Sequence, residues 1–449
     1  MNLLIINADQ LRHDCVGYRG LRPVATPNLD ALAGEGTVYT RAFTPLPVCA
    51  PARQALLCGR HPDSFGAQWN YDFIPTPTVQ PEWCWSRDLR DRGFQTGYLG
   101  RFHVSSSEKP DAFGYDEWIN WAGHKQLIKD RYADAVHDGG WLGCASPIPV
   151  EDAGTHWMAD QAAAMIRQFA EKGKPWHVWV DYEEPHLPCR PSEPYASMYD
   201  PNEIEPWDGF GDDFSGKPYC QRQQMINWQT DQMGWSDFAP MVARYYGVVS
   251  QLDDAIGRIL KALRDTGQWA DTVIVFTSDH GDMCGSHQML DKHYVLYDDI
   301  VRVPLLVKRP GVDACESDAF VSNCLDLPAS IREWFGLGAA KVTHGVPLGD
   351  VERDAIVATS NGQQFGLYTT RMIRDARYKY VWNLTDVDEL YDLDEDPGEK
   401  RTLIASEAHE ELIARMRRML FEQLKAHGDP FVRSDWMQRQ LLDGVKHIR

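Results

Sequence analysis

Short apolar runs, each bounded by turn-forming residues, alternate along most of the chain with stretches in which apolar positions recur every three or four residues. LLIIN (3–7), TGYLG (96–100), HVWVDY (177–182), TVIVFTSD (272–279) and VPLLVK (303–308) are short and rich in β-branched residues. That is the pattern of strands buried on both faces, and it predicts parallel central strands. Helical periodicity with start and stop signals predicts helices over 27–34, 51–58, 83–92, 156–172, 241–266 and 325–335. The alternation predicts an α/β fold with a mostly parallel central sheet sandwiched by helices.

From about residue 350 the pattern changes. AIVATS, FGLYTT, RMIRDARYKYVW and DELYDL are closely spaced strand signals, followed by one amphipathic helix over about 407–427. We therefore expect a domain over 1–349 and a smaller one over 350–449, an antiparallel sheet plus a helix. The stretch 185–241, rich in Pro, Gly, Asp and Trp, predicts a long functional insertion.

Composition narrows the classes. With 449 residues, 43% hydrophobic and 24% charged, the chain fits a soluble globular enzyme and can bury a large core. No run approaches the roughly 20 apolar residues that span a bilayer. The opening MNLLIINADQ has no charged leader and reads as a strand, so a cytoplasmic location is expected. A net charge of −20 disfavours nucleic acid and anionic membranes as partners, so an anionic substrate needs a local basic pocket. The ten cysteines are scattered with no CxxC, which favours free thiols.

In open α/β sheets, sites form beyond the carboxyl ends of strands. Two strands end in acid: LLIINADQ delivers Asp9 and Gln10, and VIVFTSDHGD delivers Asp279, His280 and Asp282. One such end alone is explained by a turn cap. Two in one sheet point to a divalent cation held by two carboxylates, an amide oxygen and an imidazole. Oxygen-rich sets favour Ca²⁺ or Mg²⁺, and His280 leaves Mn²⁺ or Zn²⁺ open.

PLPVCAPARQALLCGR (45–60) sets Cys49 among prolines and before Arg53. A free cysteine is ordinarily a small buried hydrophobe. Here CAPAR followed by LLCGR resembles the type I sulfatase signature C-x-P-x-R with its downstream T-G-R, with Cys58 where Thr is usual. NADQ, TPNLDALAGEG, GYLGRFH (97–103), PHLP (185–188), SDHGDMCGSHQMLDK (278–292) and ELYDLDEDPGE (389–399) extend the resemblance over most of the chain. The sequence is thus similar to sulfatases of the alkaline phosphatase-like superfamily.

That resemblance implies that a separate maturating enzyme, formylglycine-generating or anaerobic, oxidises Cys49 to formylglycine, which joins the metal site with Asp9, Gln10, Asp279 and His280. Ca²⁺ is the cation it favours. A hydrated aldehyde offers one hydroxyl to attack sulfur and a second whose deprotonation expels sulfate. Metal coordination lowers the pKa of the attacking hydroxyl. Arg53, one helical turn from Cys49, is expected to hold the oxyanion and sulfate at a helix N-terminus. By the same resemblance Lys292 binds sulfate and supports the leaving oxygen. His103 deprotonates the second hydroxyl, and His186 contacts sulfate and protonates the leaving group.

Several residues depart from the commoner pattern. Gln10 stands where many sulfatases have Asp, His280 where they have Asn, and Arg101 where they have Lys. These choices, with Asn70 in QWNY facing the nucleophile, are more like phosphonate monoester hydrolases and choline sulfatases. Arg101 offers a fork for a tetrahedral anion where Lys offers a point charge. The expected substrate is a small O-sulfated sugar, a glycosaminoglycan-derived mono- or oligosaccharide, because the Trp-rich insertion offers faces for sugar rings, although the same tryptophans equally fit a core. The alternative is a phosphonate or phosphate mono- or diester with the same machinery. A silent binding protein would keep fold and metal without the aldehyde. Arg371 and Arg374 are placed either at the cleft or on the surface.

Overall fold

Strand β1 (Asn2–Asp9) is buried along its whole length because both its faces are covered. Leu3 and Ile5 pack into one apolar layer, Leu4 and Ile6 into the other, as a period of two demands. In the computed structural model, which describes residues 1–292, 294–363 and 366–446, β1 lies centrally in an eight-stranded sheet. The others are β2 (Thr37–Phe43), β3 (Gln95–Gly100), β4 (Glu117–Ile119), β5 (Trp176–Pro185), β6 (Thr272–Ser278), β7 (Leu305–Lys308) and β8 (Cys315–Ser322), in the order β4-β3-β5-β1-β6-β7-β2-β8.

Helices cover both faces. α1 (Pro27–Ala33), α5 (Gly154–Glu171) and α7 (Trp235–Asp265) pack through Leu29, Ile166 and Ile256 against Leu4, Val178 and Ile274. On the opposite face, α2 (Cys49–Cys58), α3 (Trp85–Asp91) and α9 (Asn323–Trp334) bring Leu56, Leu89 and Ile331 against Leu3, Trp179 and Val275. The α4 (Ala122–Arg131) and α6 (Tyr219–Trp228) helices lie in the connections, and α8 (Asp298–Val301) is a single turn.

The sheet is mostly parallel, as the alternation predicts, with one correction. VPLLVK forms β7, which runs antiparallel to both β6 and β2. Three strands escape the sequence pattern because none carries a buried apolar run: β2 alternates in exposure, β8 begins with the exposed polar CESD, and β4 is a three-residue edge. Helix α7 starts at Trp235, not Met241. Pro240 falls inside its first turns, where losing an N–H costs little, and Asp237 accepts from the Gly234 N–H at 2.8 Å. The stretch 185–241 is thus shorter as an insertion than expected and contains α6.

A second sheet has the order β12-β11-β10-β9, built from β9 (Ile356–Gln363), β10 (Gly366–Arg374), β11 (Tyr378–Asn383) and β12 (Glu389–Asp392), all antiparallel. FGLYTT and RMIR form the single strand β10; Phe365 lies outside the described residues. Ala358, Met372, Val381 and Tyr391 face the first unit and meet Phe43 and Ile300. Val357, Ile373, Tyr380 and Leu390 face α10 (Glu410–His427) through Met416, Leu420 and Leu424. A further helix, α11 (Asp435–Asp443), joins this layer through Leu441. All ten cysteines are free thiols.

Candidate active site

The carboxyl ends of β1, β5 and β6 bring Asp9, Asp181 and Asp279 together around one guanidinium. Arg53 Nη2 lies 2.7 Å from Asp9 Oδ2, Nη1 3.0 Å from Asp181 Oδ2, and Nε 3.0 Å from Asp279 Oδ2. Its Nη1 also donates to the Arg101 carbonyl at 3.2 Å. Arg53 is fully buried and its fork is committed to carboxylates. In this arrangement Arg53 locks three strand ends to α2.

Asp9, Cys49, Asp279 and His280 each point one ligand atom into a space in which all four atoms lie within 4.8 Å of one another. Cys49 Sγ is 3.2 Å from His280 Nε2 and 3.7 Å from Asp9 Oδ1. His280 Nδ1 lies 2.9 Å from the Gly281 carbonyl, which takes its proton and turns the Nε2 lone pair to the cluster. Gly281 has no substitute, since a Cβ there would meet the Asp299 carbonyl oxygen at 2.0 Å.

Crowding of negative groups shows in the titration of this cluster. Burial, helped by Asp279 and Cys49, pushes the Asp9 carboxyl up to about 7 against the pull of Arg53. Burial also raises the Cys49 thiol, yet the charges of Lys292 and His280 and the approach of His103 and His186 bring it well below its ordinary value. An oxygen-rich, anionic pocket with an oriented imidazole fits a divalent cation.

Gln10, with φ of +69°, turns the chain out of β1. Its backbone N–H donates to Asp279 Oδ1 at 3.1 Å, and its Nε2 to Asp282 Oδ2 at 2.8 Å. Its Oε1 accepts from Lys292 Nζ at 2.9 Å, so Gln10 bridges lysine and acid, with a second lone pair left on Oε1. Lys292 also lies 3.1 Å from His186 Nε2 and 3.1 Å from Asp291 Oδ1. His186 Nδ1 is 2.7 Å from the Leu187 carbonyl, which fixes it as an N–H; burial and the charge of Lys292 pull the imidazole's pKa down, yet Asp9 and Cys49 lift it to about 9, so Nε2 carries a proton as well. The loop that delivers Lys292 carries Cys284, His287, Gln288, Asp291 and Tyr294 in left-handed backbone, a concentration of strain that marks functional loops.

The remaining predicted residues fall into two groups. His103 is buried with its Nε2 3.0 Å from Asp72 Oδ2, and burial lowers its pKa. Arg101 Nη2 binds the same Asp72 oxygen at 2.9 Å and stays half-exposed at the mouth of the site. Asn70 Oδ1 accepts from the Ala50 N–H at 2.9 Å, so it caps the first turn of α2 from a distance. Arg371 and Arg374 reach neither cleft nor open surface: Arg371 is buried on Asp429 at 2.7 Å, and Arg374 lies 3.2 Å from Asp298.

Beside this centre opens a cavity of about 380 Å³, bordered by Asp9, Arg101, Trp121, Glu183, Glu184 and His186. A wider groove continues from it past Arg101, Trp121 and Lys125 to the exposed Trp118. The insertion tryptophans expected to face sugar instead serve packing. Trp207 is buried with its ring 6.3 Å from that of Trp235 at the start of α7, and Trp235 packs against the same apolar layer.

Sequence reasoning missed Asp181, Asp72 and Glu184. Asp181 sits inside an apolar strand run whose register beside Asn7 and Gly100 becomes visible only in the sheet. The position of Glu184 two residues before His186 was the one available signal.

A sequence family described as Sulfatase matches residues 1–337, and one described as N-sulphoglucosamine sulphohydrolase, C-terminal, matches 285–426. The chain is 27% identical over 468 residues to an uncharacterized sulfatase, YidJ, of Escherichia coli strain K12, covering 98% of this chain and 90% of that one. It is 27% identical over 460 residues to an ulvan-active sulfatase of Formosa agariphila, covering 97% and 83%. The solved phosphonate monoester hydrolase from Silicibacter pomeroyi superposes with a TM-score of 0.82 at 22% identity, covering 96% of each chain, and so shares the alkaline phosphatase-like fold. With a match over residues 1–337 of 449, the chain belongs to the sulfatase family, the sulfuric ester hydrolases.

Proposed function

We propose that this sulfatase hydrolyses small O-sulfated sugars through formylglycine made from Cys49 by a maturating enzyme, with a divalent cation, Ca²⁺ first, held by Asp9, Gln10, residue 49, Asp279 and His280. The observation that carries the proposal is the convergence of Cys49 with three cation-ligating side chains at the N-terminus of α2. Bound there, a divalent cation would supply Lewis acidity that lowers the pKa of a hydroxyl at residue 49.

The chain's own residues supply the rest. Lys292, buried and held charged by Asp291, Cys49 and Asp9 against the cost of burial, meets the sulfate charge. His186 hands a proton from Nε2 to the leaving oxygen, with its Nδ1 already fixed on Leu187. His103 takes the proton of the second hydroxyl, a role suited to an imidazole that burial keeps neutral. Asn70 and Arg101 steady the helix turn and the substrate anion. Arg53 acts as a positioning residue.

The sugar is supported by a cavity of mixed polar and apolar lining that leads into a groove with the exposed, Gly100-anchored Trp118 indole, on which a ring can stack. A second reading, phosphonate or phosphate ester hydrolysis, is favoured by Gln10, which removes one negative charge from the wall next to Lys292. Comparing kcat/KM on 4-nitrophenyl sulfate, a nitrophenyl phosphonate and a nitrophenyl phosphodiester decides between them. The proposal expects sulfate to lead. A sulfate value far below the other two overturns it in favour of the second reading.

A further inference from the structure

If sulfate is held among Lys292, His186 and residue 49, its leaving group projects into the adjoining cavity that Asp9 and His186 border. That cavity, about 380 Å³, lies within the usual range of roughly 300–1,000 Å³ for small-molecule sites. Among the described residues, three of its lining side chains carry buried polar atoms with no hydrogen-bond partner: Glu184 Oε2, Trp121 Nε1 and Ser192 Oγ. Native interiors leave few such atoms unpaired, and these three belong to side chains lining one void, each atom closed off until its side chain turns toward an occupant.

The three are held in place. Glu184 ends β5 two residues before His186, and its Oε1 lies over Gly154 at the start of α5, where a Cβ would come within 3.2 Å of it. The same point is 3.2 Å from the Trp121 ring and 3.5 Å from His124, so acid, indole and imidazole converge on the one position that has no side chain. Ser192 is tied by its N–H to Gln251 at 2.8 Å. Burial pushes the Glu184 carboxyl up to about 7, and a neighbouring hydroxyl is the partner such a group accepts from or donates to.

An indole N–H donates only, a carboxylate accepts, and a hydroxyl does both. An occupant that satisfies all three must itself both donate and accept. An unsubstituted aryl ring does neither, and a quaternary ammonium group offers no N–H or O–H. The hydroxyls of a polyol ring do both.

We propose that Glu184, with Trp121 and Ser192, is a specificity determinant of this enzyme, selecting sulfate esters whose leaving group carries free hydroxyls. This rests on the proposed sulfatase reaction and names the group in its substrate that is read. Sites built to hydrogen-bond a substrate hydroxyl discriminate strongly against analogues that lack it.

The test compares the wild type, Glu184→Gln and Trp121→Phe on 4-nitrophenyl sulfate and on methyl hexosides monosulfated in turn at O2, O3, O4 and O6. The wild type is expected to prefer at least one hexoside sulfate over the aryl ester. That ratio of kcat/KM values is expected to fall at least tenfold in Glu184→Gln and severalfold in Trp121→Phe. A wild type that prefers none of the hexosides, or a ratio unchanged in Glu184→Gln, overturns the inference. If no sulfate ester is turned over at all, the reading of the catalytic centre fails instead. The hexoside sulfates are then titrated by thermal shift: stabilisation lost in Glu184→Gln sustains the subsite, and its absence, or equal stabilisation of both proteins, overturns it.

Discussion

At the scale of the residue, the site depends on two commitments: Cys49 to the cation cluster and Arg53 to three carboxylates. Cys49→Ala, which removes the proposed nucleophile precursor, is expected to abolish turnover of 4-nitrophenyl sulfate. Lys292→Ala is expected to lower kcat by roughly 10²–10³-fold, the usual cost of removing one aimed charge from a transition state. Steady-state kinetics check both. Arg53→Ala acts differently, because it leaves Asp9, Asp181 and Asp279 buried with their shared counter-charge gone. Stripping one partner from a buried ion pair costs about 3–5 kcal/mol, which urea unfolding will register as a lower midpoint as well as lost activity. The sequence showed that Arg53 belongs to the site but not what it holds. Its burial depends on Asp181, and nothing in HVWVDY marks that acid as more than a strand-end residue.

At the scale of the element, strands buried on both faces were legible because the physics that buries them leaves an apolar run. β1, β5 and β6 announce themselves, and their terminal acids are the site. β2 and β8 do not, since each has a solvent-facing side and the pairing that makes them strands is with distant residues. The connection between the two sheets carries a different kind of information. His61, just beyond α2, stacks on His427 at the end of α10 with ring centroids 5.1 Å apart, and His344 lies 5.6 Å from His427. Burial lowers the pKa of all three, His61 to about 4. A histidine depressed in the folded state binds its proton more readily when unfolded. Its contribution is therefore intact above about 6.5 and is lost as pH falls toward the folded value. Stability is expected to drop between pH 6.5 and 4 by about 1.4 kcal/mol per pH unit for each such proton. His427→Gln should flatten the pH dependence of the urea midpoint by about one proton.

At the scale of the whole molecule, the sheet gathers at its carboxyl edge charges that sit far apart in sequence, and the second sheet packs beside that edge. The family match over 285–426 runs from the loop carrying Lys292 into the second sheet and overlaps the match over 1–337. A cation bound at the proposed site would link folding to this edge. Asp9 must lose its proton to ligate, and burial has raised it to about 7, so added Ca²⁺ is expected to raise the melting temperature more at pH 7.5 than at pH 6. Treatment with EDTA should reverse the gain; equal shifts at both pH values would contradict it.

Turnover depends most directly on the proposed conversion of residue 49. Protein expressed with and without a maturating enzyme can be digested and the peptide spanning CAPAR weighed, while turnover of 4-nitrophenyl sulfate is followed on the same samples. The account expects kcat per mole of protein to rise in proportion to the fraction of aldehyde at position 49 and to vanish with the unmodified thiol. Thiol-only protein that hydrolyses the ester as fast as the converted protein would contradict it.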